Sequence, residues 1–290
     1  MAKRNRSLDE PTLFEHAVDS VVRQVEHKDW FGAIGLLNDE TERDQYQIGL
    51  LQFAPHSRSP EANVQLILEM LRDIDLDVPT IVVLPELFLS NYDSEAVRGG
   101  MAISQVRRYL EPIRACTQDR QLSVVGSLAI SRGVAGVSNS AVSIHRGLLA
   151  ANSSVKARVY APLESELQQG TARDFVSFGS LRATIQVCMD IVDPLPSRRG
   201  VQLGARAILG PAAVSVDFLR TIHKARSLEN QVVTVFCNRY GTDSQGIQFL
   251  GKSAIFLPDG TELSASSSQD AVLTVRLYLQ ELLGFAKRFG

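Results

Sequence analysis

The sequence predicts a layered α/β fold. Two observations carry this expectation. From residue 47 onward, short β-branched apolar runs alternate with helix-favouring segments, and those runs are continuously apolar, so each strand must have both faces covered. A third observation concerns size: the chain has 290 residues, and after residue 46 no repeat, low-complexity tract or Pro/Gly/Ser linker divides it. One large domain, residues 47–290, preceded by an N-terminal helical extension, residues 1–46, is the expected organisation.

The extension is charged and helix-favouring. Val18, Val21, Val22 and Val25 fall at helical spacing, as an amphipathic helix requires, and the segment is read as a packing or dimer element. Residues 48–53 read as the first buried strand. Ser59-Pro60-Glu61 then supplies an N-cap, a proline at the first helical position and an acidic first turn for a helix to about residue 73. Residues 80–84 form the next strand, a helix is expected between 101 and 119, and strands follow at 122–130 and 140–145 with Arg146-Gly147 at a turn. The second half repeats the rhythm, with strands near 183–187, 207–209, 232–237 and 253–257 and helices near 197–204 and 217–229. The serine-rich run 264–268 is expected to be a flexible loop.

Bulk properties narrow the function. Hydrophobic residues make up 44% of the chain and charged residues 21%, enough for a substantial core. A formal charge of -2 offers no excess to attract nucleic acid or an anionic membrane, which leaves small molecules or proteins as partners. Cys116, Cys188 and Cys237 are odd in number and widely spaced, and the five histidines show no metal spacing, so neither a disulfide framework nor a metal site is expected. Residues 1–10 are basic and then acidic without an apolar core, and no apolar run is long enough to span a bilayer. A cytoplasmic setting follows as the expectation.

Three strand ends carry groups that can react together. Gln186-Val187-Cys188-Met189-Asp190 places a thiol where a buried strand gives way to a loop, Leu84-Pro85-Glu86 ends another strand in a carboxylate, and Ser154-Val155-Lys156 ends a third in an amine. Amide hydrolysis by a thiol needs a nucleophile, a base, donors for the tetrahedral oxyanion and a proton for the leaving amine. Cys188 would attack, Glu86 would take and return the proton, and Lys156 with the backbone N–H after Cys188 would meet the oxyanion. Taken singly, each residue has a plainer reading: a buried structural thiol, a strand-end carboxylate capping the next segment, and a solvated lysine near a turn. Exchanging Lys156 for methionine is expected to change stability little. Cys116 and Cys237 are read as packing residues.

These residues also match a family pattern. From about residue 47 onward the chain resembles the nitrilase superfamily of carbon–nitrogen hydrolases. Leu84-Pro85-Glu86-Leu87-Phe88 is similar to its Pro-Glu-Phe strand end, with Asn91-Tyr92 following, and Cys188-Met189-Asp190 with Pro194 to its Cys-x-Asp…Pro motif. Further on, the segment from Gly204 through Pro211-Ala212-Ala213, the helix end Ala225-Arg226-Ser227-Leu228-Glu229-Asn230, the Gly251-Lys252-Ser253 strand and the Pro258-Asp259-Gly260 turn match in order. Six ordered matches over about five-sixths of the chain carry more weight than any one motif.

The resemblance implies a four-layer αββα sandwich with catalytic Glu86, Lys156 and Cys188, and a second glutamate after the lysine, for which Glu164 is the better match and Glu166 the reserve. Tyr92, Met189, Asp190 and Pro211 are the substrate-binding residues it implies, and Glu229 matches a position that braces the active-site wall. The family's His-Leu pair after the lysine is replaced by Ala157-Arg158-Val159, and Ile191-Val192-Asp193 stands where Arg-Phe is common. Both changes concern the pocket wall. Met189-Asp190, where nitrilases carry Trp-Glu, points to the amidase and carbamoylase side. The expectation is a thioester enzyme acting on a small linear amide or N-carbamoyl compound, without metal or organic cofactor, assembled as a homodimer or larger. Acyl transfer to an amine, a glutaminase subunit of a synthetase and a catalytically silent interaction module remain alternatives.

Overall fold

The computed structural model describes residues 45–90, 94–160 and 164–278. The extension helix expected around Val18 to Val25, and Tyr92, lie outside the described residues. The elements are β1 (Gln45–Gln52), α1 (Pro60–Arg72), β2 (Thr80–Val83), α2 (Ser94–Gly99), α3 (Ile103–Gln118), β3 (Leu122–Ser131), β4 (Val137–His145), β5 (Leu148–Val155), β6 (Val176–Phe178), β7 (Leu181–Ile185), α4 (Pro194–Gln202), β8 (Ala207–Pro211), α5 (Phe218–Asn230), β9 (Val233–Cys237), β10 (Tyr240–Thr242), β11 (Gln248–Leu250), β12 (Ala254–Phe256), β13 (Glu262–Ser264) and β14 (Ala271–Tyr278).

Two six-stranded mixed sheets, ordered β14-β1-β2-β3-β4-β5 and β13-β12-β9-β8-β7-β6, form the middle of the molecule. Side chains alternate across each strand. On β1 and β2, Ile48, Leu50, Ile81 and Val83 join Leu209, Val235, Phe236 and Ile255 in a buried core shared by both sheets. Leu51, Val82 and Leu84 belong to a second core with Val64 and Ile67 of α1 and Val106, Leu110 and Ile113 of α3. Helix α5 buries Leu219, His223 and Ser227 on the other sheet. The result is helix, sheet, sheet, helix, the four-layer sandwich expected from the resemblance.

Local chemistry accounts for most boundaries. Ser59 Oγ accepts from the Ala62 N–H at 3.2 Å and Pro60 opens α1. Arg146 (φ 48) and Gly147 (φ 73) take the two left-handed positions of the turn between β4 and β5. The first strand starts at Gln45, inside the residues assigned to the extension. The run 264–268 is tied down rather than loose: Ala265 N–H donates to Ser253 O at 2.8 Å, and Gln52 Nε2 donates to Ser266 O at 2.8 Å.

Direction decides where chemistry can occur. Strands β1, β2 and β3 are mutually parallel, as are β7, β8 and β9. Strand β5 pairs antiparallel with β4, and β4 with β3, so β5 runs the same way as β3. The residues that follow β2, β5, β7, β8 and β9 therefore emerge at the carboxyl ends of their strands, where open α/β sheets build sites. A cavity of about 190 Å³, lined by Tyr46, Thr80, Ser123, His145 and Ser180, opens at the opposite strand ends.

Candidate active site

Glu86, Lys156, Glu164 and Cys188 meet at these carboxyl ends, all buried. Glu86 follows β2 on a turn whose N–H donates to Ala212 O at 3.2 Å. Lys156 follows β5 directly and its backbone N–H donates to Asn139 O at 2.9 Å, which continues the sheet ladder past the strand end. Its Nζ donates to Glu86 Oε1 at 2.7 Å and to both oxygens of Glu164 at 2.8 and 2.7 Å. Asn139 Nδ2 donates to Glu86 Oε1 at 2.7 Å and to Glu164 Oε1 at 3.1 Å, and the Tyr160 N–H donates to Glu164 Oε2 at 2.6 Å. Of the two glutamates considered for the fourth position, Glu164 is the one in the cluster. Glu166 pairs with Arg98 on the surface at 3.7 Å.

Cys188 opens a 3-10 turn, Cys188–Val192, at the end of β7, and its backbone is left-handed with φ 51. A non-glycine residue there is strained, a feature that concentrates at functional sites. Its thiol lies beside the Glu86 carboxyl and the Ala213 backbone, close enough for both to act on its ionisation. Burial raises the Glu86 carboxyl, Lys156 pulls it back and Glu164 pushes it up again. Burial also pushes the Cys188 thiol well above its ordinary range, with the Glu86 charge adding to this and Lys156 opposing it. Burial thus disfavours the charged forms of both the thiol and the carboxyl beside it.

The surrounding residues act mostly as braces. Asp190 Oδ1 accepts from the N–H groups of Ala157 and Arg158 at 2.9 and 2.8 Å, so it joins the Cys188 turn to the loop after Lys156. Burial raises Asp190 to about 6, against the pull of those two N–H groups and Lys156. Arg226 of α5 donates to Ile191 O at 3.2 Å and Val192 O at 3.0 Å, and Glu229 holds Arg226 at 2.9 Å. Glu229 therefore braces the Cys188 turn through Arg226. Met189 is half-buried next to the thiol, and Pro211 is a buried residue that ends β8, with Ala212 O accepting from the Glu86 N–H. Arg158 and Asp193 pair with each other at 2.9 Å near the surface.

Two residues of the site were missed by the sequence reading. Asn139 is a buried amide on β4, set between the buried serines Ser138 and Ser140, so nothing in its local sequence distinguishes it. Arg239 is a buried guanidinium just after β9. Cys237 is buried packing, with its thiol donating to Leu51 O and Val83 O. Among the described residues no group of three or more His, Cys, Asp or Glu is arranged to hold a metal ion, and no helix is long and apolar enough to cross a membrane.

The comparisons with known proteins agree with this architecture. A Pseudomonas protegens protein described as "Hydrolase in pqqF 5'region" is 28% identical over 237 residues, covering 78% of this chain and 81% of that protein. The omega-amidase YafV of Escherichia coli is 25% identical over 219 residues, covering 72% and 81%. Among solved structures, a cysteine-to-alanine variant of the Nesterenkonia AN1 amidase, from the nitrilase superfamily, superposes with a TM-score of 0.71 at 24% identity, covering 86% of this chain and 96% of that one, a likeness of fold. The carbon-nitrogen hydrolase family model matches residues 47–285. With that match over most of its length, the chain belongs to the carbon–nitrogen hydrolase family.

Proposed function

We propose that this protein is an amidase that cleaves the C–N bond of a small linear amide or N-carbamoyl compound through a thioester on Cys188. One observation carries the reading: the Cys188 thiol and the Glu86 carboxyl are buried side by side, and that carboxyl group is held by Lys156 and Asn139 at 2.7 Å each. The omega-amidase relative supports the choice of an amide over other C–N substrates.

The steps balance on these residues. Sγ forms a bond to the carbonyl carbon as the thiol proton passes to Glu86 and the carbonyl electron pair moves to oxygen. Lys156 Nζ and the Met189 N–H meet that oxyanion. Collapse breaks the C–N bond, and Glu86 returns the proton to the departing nitrogen. Water then attacks the thioester, Glu86 takes its proton and passes it to the leaving sulfur, and a carboxylic acid is released. A carboxyl group raised by burial suits both halves of this cycle. Glu164, with two oxygens on Nζ, holds the ammonium in place and charged. None of these steps calls for a metal or organic cofactor.

A silent interaction module accounts for the cluster poorly. Burying one ammonium between two carboxylates costs several kcal/mol of desolvation per ion, of order ~5 kcal/mol, which a binding-only protein has no reason to bear. The same reading includes a homodimer or larger assembly, supported by exposed apolar side chains on α4 and α5, and a cytoplasmic setting, supported by three free cysteines. The test is an ammonia-release screen over amides, carbamoyl compounds and nitriles, with intact mass read in parallel. We expect turnover of an amide and an acyl adduct on Cys188; silence across the panel in both readouts would sink the proposal.

A further inference from the structure

Glu86 sits on a turn, not on a strand, and the turn is held in an uncommon shape. Leu87 has φ 51, a left-handed conformation that a non-glycine residue keeps only where its surroundings over-determine it. The Leu87 N–H donates to Ser127 Oγ at 3.4 Å. The carbonyls of the turn converge on one group: Arg239 Nη2 donates to Glu86 O at 2.8 Å, Leu87 O at 2.7 Å and Ser90 O at 3.1 Å.

Arg239 is itself anchored. It has no exposed surface, and its guanidinium carbon lies 5.2 Å from the centroid of the Phe249 ring. The preceding residue is pinned on both sides: Asn238 accepts from the Val214 N–H at 2.9 Å and donates to Val214 O at 3.0 Å and Gly251 O at 3.1 Å. Arg239 thus leaves the second sheet at the end of β9 and grips a turn that belongs to the first.

We propose that Arg239 is a positioning residue for the reaction, fixing the direction in which the Glu86 carboxyl leaves its turn toward Lys156 and the Cys188 thiol. The inference rests on Glu86 as the proton shuttle. A planar guanidinium can gather several carbonyls at once, whereas an ammonium is a point charge on a flexible stem. Lysine at 239 therefore keeps the charge and loses the grip. A tilt of the turn that moves the carboxyl by about 1 Å lowers the rate by about a hundredfold.

The experiment reads proton removal from Cys188 without needing the natural substrate. Iodoacetamide alkylates the thiol: an S–C bond forms, iodide leaves, and the thiol proton goes to Glu86. The rate at Cys188, located by peptide mass, is followed from mildly acid to mildly basic pH in the wild type, Glu86→Gln, Arg239→Lys and Arg239→Met. We expect Arg239→Lys and Arg239→Met to melt cooperatively and alkylate about tenfold to a hundredfold more slowly, with the acidic limb of the pH profile displaced. On any amide substrate, kcat should fall while KM holds. Wild-type rates and pH profile in whichever Arg239 variant folds would overturn the proposal. Loss of the cooperative melt in both would assign Arg239 to the fold alone and overturn it equally. If Glu86→Gln matches the wild type, the fault lies with Glu86 as the shuttle; if only Glu86→Gln slows, the fault lies with Arg239.

Discussion

Lys156 lies between two carboxylates with no exposed surface, so exchanging it for methionine does two things at once. The oxyanion loses a charged donor, which should lower the rate by about a hundredfold or more. Glu86 and Glu164 also lose the charge that separates them, and breaking such a buried cluster costs about 3–5 kcal/mol. The expectation of little stability change from this exchange is thereby reversed. Lys156→Met should melt well below the wild type, by on the order of 10 °C for a domain of this size, measured by calorimetry alongside activity. Cys188→Ala has no such effect: it should keep the melt and lose turnover, while Cys116→Ala and Cys237→Ala stay active. Glu86→Gln should slow both acylation and deacylation, and its residual rate should lack the acidic limb of the pH profile; an unchanged profile would redraw the assignment. Glu86 and Cys188 were legible because each follows an apolar run with a reactive group, and Lys156, which follows the polar stretch Asn152-Ser153-Ser154, was legible through the family pattern. Asn139 and Arg239 were not, because hydrogen bonds to residues 53 and 153 positions away leave no local pattern in the chain.

At the scale of elements, the site depends on how closely β5 can be approached. Gly170 donates its N–H to Lys156 O at 2.9 Å, and a Cβ added there would come 2.2 Å from Val155 Cγ1, the side chain just before the lysine. Gly170→Ala must push the end of β5 aside. It should cost about 1–3 kcal/mol by overpacking and lower activity more than that loss of fold explains, read as kcat per folded molecule. Asp190 gives the loop beyond β5 a pH dependence. Its folded pKa, raised to about 6 from 3.8, means that the native state holds this proton more tightly than the unfolded chain does. The associated stability is present below the unfolded value and is lost as pH rises through the folded one. Asp190→Asn, which cannot ionise, should flatten that decline in urea denaturation across the same window; an unchanged slope would show that Asp190 does not titrate there. Legibility at this scale followed length and continuity. Strands β2, β3, β8 and β9 showed as runs rich in apolar and β-branched residues, broken only by small or hydroxyl side chains. The four strands β6, β10, β11 and β13 have three residues each, too few for any period. Strand β14 alternates buried Leu273, Val275 and Leu277 with Thr274 and Arg276, a pattern that a search for continuous runs passes over. Its partner β1 lies more than 200 residues away, so nothing nearby in the chain announces the pair.

For the whole molecule, the outer helical layer on the second sheet is where assembly is to be expected. Leu195 is 71% exposed, Leu203 44%, Phe218 56% and Leu228 42%, all in or beside α4 and α5, while the buried faces of the same helices meet the sheet. Single exposed apolar residues are ordinary, but four carried by one layer are apolar area that gains by being covered. A second copy of the chain is the simplest cover, because one patch meeting itself across a two-fold axis closes the assembly. The same helix carries Arg226, whose guanidinium holds the carbonyls of Ile191 and Val192 in the Cys188 turn. Contact on the outer face of α5 would therefore stiffen the helix that supports the Cys188 turn. Light scattering at micromolar concentration should give about twice the chain mass of 31.8 kDa or more. Phe218→Glu should shift the protein toward the monomer and, with the melt retained, lower kcat as the α5 support loosens. A wild-type protein that scatters only as a monomer would remove the dimer. A Phe218→Glu monomer with full activity would keep the dimer and separate it from the chemistry.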